Sequence, residues 1–461
     1  MVGAEEVDVA VVGGGPGGSS AARATAAGSE LDVVVFEKGV RRTDREGPGP
    51  DSTDAAGILD YWIELMDVGP DELDDLPILQ EIDRAEFVSP HRTAVLEETG
   101  IDSWYEKFGF TFDRVAMDDL LRERAEEAGA EYRVGDQVKG VTSNATNGDY
   151  THTLDVAGGD TVEADFLVLA DGPQRRVTIP ALSQFTSDDS LVIDALGPAT
   201  ANHIAYQQHR RFPAELFDDD VLRFWWGHIP GETAYPWFFP NDDNVARVGL
   251  TMPLDMDLGA VRHREDYPLL HPDDDSVPSG EVYIDRLLEH LYGDEYDVDE
   301  DIPIVEDRAK DDGVESYPIS STRPVESPTE AGVAVVGGAM GATSAFHEGG
   351  YHLAWGTGAA AGRLLAENGD LRGYNDAWQQ KLGSEMQRNV CLAALVGDYA
   401  PGDFDRLFRD VNFATGTGEL SFGDRLRSPV HMAGLKLRYE YLKRFAYAPY
   451  VQIGRDDYDL V

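Results

Sequence analysis

Residues 7–12 form a short apolar run, Val7-Asp8-Val9-Ala10-Val11-Val12, that stops at Gly13-Gly14-Gly15-Pro16-Gly17-Gly18 and gives way to the small-residue segment Ser19 to Ala27. The pattern reads strand, tight turn, helix. A second β-rich run, Leu31 to Phe36, stops at Glu37, completing a βαβ unit of the ~30 residues such a unit takes. In Gly13-x-Gly15-x-x-Gly18 the first glycine permits the turn, the second lets backbone approach a pyrophosphate, and the third lets the helix pack on the strand. The helix N-terminus then faces the phosphates. Gly13, Gly15, Pro16, Gly18 and Ser19 are therefore candidate dinucleotide contacts. Glu37, 24 positions after Gly13, stands with Lys38 at the strand end, where a carboxylate can accept hydrogen bonds from an adenosine ribose. A parallel sheet begins here, and the expected class is α/β.

The remaining length, 461 residues in all, gives a prior of two or three domains at ~150 residues each. Residues 38–54 are polar with Gly-Pro-Gly-Pro at 47–50 and read as a long loop; Asp54 is expected to cap a helix through Met66, and 69–76 is an acidic connector. Arg114 to Gly129 has helical spacing, and strands follow at 131–141, 151–157 and 161–170, with a hairpin at Gly158-Gly159. From 186 to 315 the pattern changes to aromatic-rich strands such as Arg223 to Trp226 and Tyr235 to Phe239. Gly332 to Val336 is strand-like again, followed by a glycine-rich turn and a helix from Gly349 to about Leu365. The expected organisation is a discontinuous first domain (1–185 and 316–370), an inserted domain (186–315) and a helical C-terminal region (371–461). No repeat of 20–50 residues suggests a solenoid or propeller.

Charge narrows the partners. The 86 acidic and 38 basic residues give −48, which disfavours nucleic acid. Only seven of the basic residues are Lys, and an acid-rich, Lys-poor chain suits a salt-saturated cytoplasm where charges are screened within about 3 Å at 1 M. A halophilic microbial source is the expectation. The single cysteine, Cys391, excludes a disulfide framework or multi-thiolate metal site and fits a reducing, intracellular compartment; it sits in an apolar helical stretch and reads as buried and inert. The acidic residues 1–9 do not form the basic leader of a signal peptide, and no run of ~18 apolar residues spans a bilayer. No metal is expected.

Two later segments point to flavin rather than nicotinamide. Ala164 to Ala170 is a strand ending in Asp171-Gly172, and Val333 to Val336 runs into Gly337-Gly338-Ala339-Met340-Gly341. Between them and the first motif lie Phe112-Asp113-Arg114 and a helix carrying Asp118-Asp119-Leu120-Leu121, then the strand from Glu131 to Val141. In this order the chain, over most of residues 5–400, resembles the flavoproteins of the hydroxybenzoate hydroxylase and geranylgeranyl reductase superfamily. The resemblance implies a Rossmann-like FAD-binding domain, with FAD contacts at Arg114, Val138, Asp171, Gly172, Gly338, Gly349 and Gly350. The chain departs from the family in two places. The late Gly-Asp is Gly337-Gly338 here, and the Pro and first Gly of the family's Pro-x-x-Gly-x-Gly turn become Ala345 and Glu348, while Gly349 and Gly350 keep the turn open.

Tyr235-Pro236-Trp237-Phe238-Phe239-Pro240, followed by Val245-Ala246-Arg247-Val248-Gly249, resembles the aromatic-x-Trp-x-Phe-Pro segment beside the isoprenoid tunnel of geranylgeranyl reductases. Strand alternation puts Tyr235, Trp237 and Phe239 on one face and Phe238 on the other. An isolated alkene has no carbonyl to polarise it, so hydride and proton must arrive on its two carbons. Aromatic faces can stabilise the positive charge that develops between those events by roughly 0.5–2 kcal/mol each. Trp225, Trp226 and Trp237 are candidates, and His347, with Glu348 and His352 nearby, is the candidate proton donor. The implied activity is FAD-dependent saturation of polyprenyl lipid double bonds, with reduced ferredoxin or NAD(P)H as electron donor. Isoprenoid quinones or dolichyl chains are alternative substrates. An aromatic hydroxylase on the same fold, or a lipid-binding protein without redox activity, are alternative classes.

Against the overall −48, residues 425–455 carry seven basic residues and Glu440 as their one acid, interleaved with Tyr439, Tyr441, Phe445, Tyr447 and Tyr450. Peripheral contact of a cytoplasmic enzyme with the inner face of the membrane is expected there, unless this tail lies on the protein's own acidic surface.

Overall fold

The structure is a computed structural model that describes residues 4–44, 56–146, 149–188, 190–308, 312–417 and 420–460. The helices packed around its sheets include α1 (Pro16–Gly28), α2 (Asp60–Leu65), α3 (Arg114–Glu127), α4 (Gly280–Tyr292), α5 (Tyr351–Asn368), α6 (Tyr374–Val396), α7 (Pro401–Thr415) and α8 (Phe422–Tyr441).

The first sheet runs in the order Glu131–Val134, Val33–Glu37, Glu5–Val12, Thr161–Leu169, Asp149–Val156, Val138–Thr146, with Val333–Val335 also paired to Thr161–Leu169. Its centre is parallel: Val9 stands beside Val33 on one side and Phe166 on the other. Val9, Ala10 and Val11 are fully buried, as expected of a parallel sheet covered on both faces, whose strands read as unbroken apolar runs. The small residues of α1 find their reason in α5. A Cβ on Gly358 would lie 2.0 Å from the Gly17 carbonyl oxygen, and one on Gly362 would lie 2.3 Å from that of Ala21. Backbone touches backbone, and the Ser20 hydroxyl donates to Trp355 O at 2.9 Å. This contact brings the N-termini of both helices to the same cavity, lined by Gly15, Pro16, Gly350 and Tyr351.

The second sheet has the order Val314–Ile319, His203–Arg211, Val245–Pro253, Tyr235–Pro240, Val221–Trp225, Arg84–Ser89, Arg92–Leu96. Its last two strands come from outside the expected 186–315 insertion. Arg84–Ser89 pairs in parallel with Val221–Trp225, placing Ala85 beside Leu222 and Phe87 beside Phe224. A third, three-stranded sheet joins Gly57–Leu59, Gly109–Phe112 and Ile78–Ile82.

The helix expected from Asp54 to Met66 is shorter. Gly57–Leu59 is a strand, and α2 starts at Asp60; Asp54 and residues 45–53 of the expected loop lie outside the described residues. Gly57 must be glycine because a Cβ there would meet the Phe239 ring at 2.4 Å. The C-terminal region is helical as far as Tyr441, but the end of the chain returns to the first domain. Ile453 is fully buried in the core cluster of the first sheet, and the Tyr458 hydroxyl donates to Glu326 O at 2.6 Å.

Candidate active site

A cavity of about 790 Å³ opens at one end among Gly13 to Gly17, Glu37, Lys38, Tyr132 and Val138, and at the other among Trp226, Tyr235, Trp237 and Phe239. Arg114, Asp171, Gly172, Gly338, Gly349, Gly350, His347 and Glu348 also line it. One space thus unites the two sets of residues singled out in the sequence.

At the glycine end the three fingerprint glycines separate by role. Gly13 has φ +104°, and a Cβ on it would lie 2.4 Å from Ala170 O; one on Gly18 would lie 1.9 Å from Gly13 O. These two are demanded by packing, and Gly18 does not line the cavity. A Cβ on Gly15 would meet nothing within 4 Å, so its missing side chain leaves room on the cavity side. Ser19, expected as a dinucleotide contact, is buried and does not line the cavity: its hydroxyl donates to Gly14 O at 3.0 Å and receives the Tyr132 hydroxyl at 2.7 Å. Glu37 is fixed at the strand end by two backbone donors, Gly14 N to Oε2 and Gly39 N to Oε1, both at 2.7 Å. Each carboxylate oxygen keeps a second acceptor position for a ribose hydroxyl.

Asp171 lines the cavity, but its carboxylate is engaged elsewhere. Oδ2 accepts from Val177 N at 2.7 Å and Thr178 N at 3.2 Å, and Oδ1 accepts from the Thr178 hydroxyl at 2.5 Å. Its role is to hold the Gly172-Pro173 turn. Gly338 packs on that turn: a Cβ would lie 3.0 Å from Pro173 Cδ and 3.1 Å from Pro173 N. The buried Arg175 guanidinium donates to Gly338 O at 3.0 Å. At the position where the family carries Asp, a side chain would press on Pro173, which would have to give by a few tenths of an ångström. Sequence reasoning missed Tyr132, whose ring lies beside Gly14 with the Arg122 guanidinium 5.1 Å from its centroid. It also missed Tyr61, Trp62 and Arg388, which line the cavity from α2 and α6. No glycine fingerprint marks those helices.

At the aromatic end, strand alternation holds. Tyr235, Trp237 and Phe239 share one buried cluster with Trp226, whereas Phe238 and Trp225 belong to another, under α4. Phe238 and Trp225 are therefore core and do not line the cavity. Trp237 faces Gly249 across the strand pair, where a Cβ would meet the indole at 2.6 Å; the glycine of Val-Ala-Arg-Val-Gly is what lets the ring lie flat. Trp226 stacks on Tyr235 at 4.4 Å and on Phe346 at 5.3 Å. The Tyr235 hydroxyl donates to His347 O at 2.8 Å, and burial raises its pKa well above the usual range, so it stays neutral.

His347 lines the cavity wall, where burial and the Arg388 charge push its pKa down to about 3. It is a neutral imidazole, not a ready acid. Glu348 is the opposite case. Its side chain is 3% exposed, Oε1 accepts from the Thr233 hydroxyl at 3.0 Å, and Oε2 has no hydrogen-bond partner. Burial pushes its carboxyl up to about 8, with the nearby Ser321 and Thr233 hydroxyls only moderating the shift.

Among the described residues His347, His352 and Glu385 form a group whose ligand atoms lie within 4.8 Å of one another. Glu385 already accepts from Arg388, from Asn389 Nδ2 at 2.9 Å and from the Tyr61 hydroxyl. The adjacent guanidinium opposes a second cation, so the group is read as a polar network beneath Trp62, whose ring stacks on His352 at 3.9 Å.

The cradle satisfies an FAD: room at Gly15, the α1 N-terminus beside it for the phosphates, the α5 N-terminus opening on the same cavity, and a carboxylate at the ribose position. This fold and this site define a flavin-dependent oxidoreductase. The chain is 26% identical over 414 residues to the digeranylgeranylglycerophospholipid reductase of Methanothrix thermoacetophila, covering 88% of this chain and 91% of that one. It is 24% identical over 426 residues to digeranylgeranylglycerophospholipid reductase 1 of Methanococcoides burtonii, covering 89% of each. The solved geranylgeranyl bacteriochlorophyll reductase-like protein of Thermoplasma acidophilum has the same fold, with a TM-score of 0.63 and 21% identity over 92% of this chain and 96% of that one. A myxobacterial chondrochloren halogenase shares the fold with a TM-score of 0.53 and 18% identity, over 95% of this chain and 92% of that one. The tryptophan halogenase family matches residues 46–203. Within the flavin-dependent oxidoreductases, the chain is similar over nearly nine-tenths of its length to proteins named digeranylgeranylglycerophospholipid reductase.

Proposed function

We propose that the protein saturates carbon–carbon double bonds in the polyprenyl chains of membrane lipids. The observation that carries this reading is the continuity of the cavity from the glycine cradle to the face of Trp226, Tyr235, Trp237 and Phe239. An apolar chain fits such a wall, and a polar substrate would leave its own groups unpaired there. The named relatives support the same substrate class.

FAD, when bound and reduced, supplies the hydride. Gly13 to Gly17, Glu37 and the α1 N-terminus hold its dinucleotide part, while Lys38, Arg114, Val138, Gly172, Gly338, Gly349 and Gly350 shape the rest of the cradle. Trp237, with Trp226, presents a ring to the alkene and stabilises charge developing on it. The proton is assigned to the His347–Glu348 pair rather than to His347 alone, because Glu348 is the member that retains a proton at neutral pH. Tyr235 orients this turn through its bond to His347 O. Electrons come from reduced ferredoxin or a nicotinamide that docks transiently, and the enzyme meets its lipid by peripheral contact through 425–455.

The test is anaerobic incubation of the chemically reduced protein with digeranylgeranylglycerol lipids, polyprenyl quinones and dolichyl phosphates. Mass spectra gaining pairs of hydrogens support the reading and identify the substrate. Oxygen consumption with aromatic substrates, and no hydrogen gain in any prenyl chain, would replace it with a hydroxylase.

A further inference from the structure

Helix α8 presents an apolar face to solvent. Phe422, Leu426, Val430, Leu437 and Tyr441, with Phe445 just beyond its end, are 62–80% exposed. Their spacings of four and seven residues place the helical members on one stripe at 100° per residue. The same rotation sets Arg425 and Lys436 along one flank of the stripe and Arg427 and Arg438 along the other, all four exposed. The single acid on the stripe, Glu440, is paired with Arg444 at 3.1 Å.

The opposite face of α8 turns inward. Ser428 is buried, and Leu435, with Leu442 after it, packs on the cluster that contains Trp226, Trp237, Phe404 and Phe408. The helix is therefore two-sided: its inner face backs the aromatic wall of the cavity, and its outer face is apolar with cationic borders. The structure also changes which aromatics are available. Tyr439 and Tyr447 are half-buried, whereas Tyr441 and Phe445 are exposed.

Charge selects the occupant. Two copies meeting stripe to stripe would bring the Arg and Lys flanks of one helix against the Arg and Lys flanks of the other. Anionic headgroups over a hydrocarbon layer satisfy both features together. Among the described residues no helix is long and apolar enough to cross a membrane, so the contact lies along the surface.

We propose that α8 lies flat in the surface of an anionic bilayer, inserting Phe422, Leu426, Val430, Leu437, Tyr441 and Phe445 between headgroups that pair with the basic flanks. The inference rests on the lipid-reductase reading, since it places the aromatic cavity wall immediately behind the docked helix, where a chain drawn from the bilayer enters without crossing water.

The test is flotation of the full-length protein with vesicles of phosphatidylglycerol and phosphatidylcholine in molar KCl. At that ionic strength Coulomb attraction reaches only about 3 Å, while apolar insertion persists. The parent is expected to float, and Leu426→Gln/Val430→Gln/Leu437→Gln to bind roughly tenfold more weakly or worse, with unchanged circular dichroism and unchanged turnover of detergent-dispersed lipid. Equal flotation of both proteins, or failure of the parent to float, overturns the proposal. So does a parental dimer that becomes monomeric on substitution, because a second copy then covers the stripe. A protein that floats yet hydrogenates no prenyl lipid refutes the reductase reading and leaves docking intact; one that hydrogenates micellar lipid but never floats refutes docking alone.

Discussion

Gly15→Val separates the cofactor cradle from the stability of the fold. Gly15 has extended backbone, φ −75° and ψ −173°, which valine adopts without strain. An added Cβ meets no protein atom within 4 Å. Folding of the flavin-free protein should therefore change by less than about 1 kcal/mol, and a lower unfolded-state entropy favours the variant slightly. The branched side chain instead fills the cavity beside the α1 N-terminus, where the pyrophosphate must approach backbone. Flavin at a hundredfold excess over its Kd stabilises the parent by about 2.7 kcal/mol through linkage; the variant should gain nothing. Differential scanning fluorimetry with and without FAD, with absorbance of the purified protein, reads both quantities. Gly18→Val is the control, because a Cβ there would lie 1.9 Å from Gly13 O, so it should lose folding as well as flavin. Normal flavin content in folded Gly15→Val would refute the assignment of this turn to the pyrophosphate.

Three other outcomes are expected. Gly338→Asp, which restores the family's residue, should cost roughly 1–3 kcal/mol of stability, because its Cβ presses on Pro173 at 3.0 Å; tighter flavin binding, measured by fluorescence titration, would show that the carboxylate position is open after all. Trp237→Ala should fold, bind flavin and be reduced by dithionite, yet lose at least about tenfold in lipid turnover, a deficit of ~1.4 kcal/mol or more; full turnover would remove the indole from the alkene site. Glu348 has a folded pKa of about 8, above the ordinary 4.5, so its contribution to stability is fully present below pH 4.5 and is lost as pH rises through about 8. Glu348→Gln should flatten urea-denaturation stability between those limits and abolish a fall in turnover near pH 8, whereas an unchanged pH profile would place the proton on another group.

The cradle was legible in the sequence because its demands are steric and local. Gly18 packs on the Gly13 carbonyl within one βαβ unit and Glu37 follows at the end of its second strand, so spacing located the motif, although the Cβ that Gly13 excludes would meet Ala170 O, 157 positions along the chain. The aromatic wall was legible for a similar reason: alternation along one strand separates Trp237 from Phe238 whatever the strand packs against. What the sequence concealed depends on distant partners. Gly57 makes room for Phe239, a contact across 182 positions, and Arg84–Ser89 joins the second sheet only because Val221–Trp225 has a free edge. Asp171 kept its expected place but not its expected task, because its carboxylate closes the Val177–Thr178 turn. Trp225 and Trp226 looked equivalent until the end of their strand turned one into the core under α4 and the other into the cavity.

Glu348 joins these threads, because the geometry explains both the family's glycine and this chain's departure from it. The residue sits at φ +59°, in the left-handed region where a side chain costs roughly 1–2 kcal/mol relative to glycine. Glycine is the easy solution for a turn placed between the cavity and α5. Keeping a glutamate there adds the cost of burying a carboxyl with one oxygen unpartnered. Thr233, itself at positive φ of 47°, offsets part of this with its hydroxyl bond, but packing alone gives no reason to retain the residue. Two strained residues converging on one buried proton, in the wall that also carries Tyr235 and His347, is an arrangement suited to proton delivery. Glycine at 348 would relieve the backbone and remove that proton. Such a variant should therefore be more stable than the parent at pH 9 and slower at pH 7, a pairing that a purely structural glutamate would not produce.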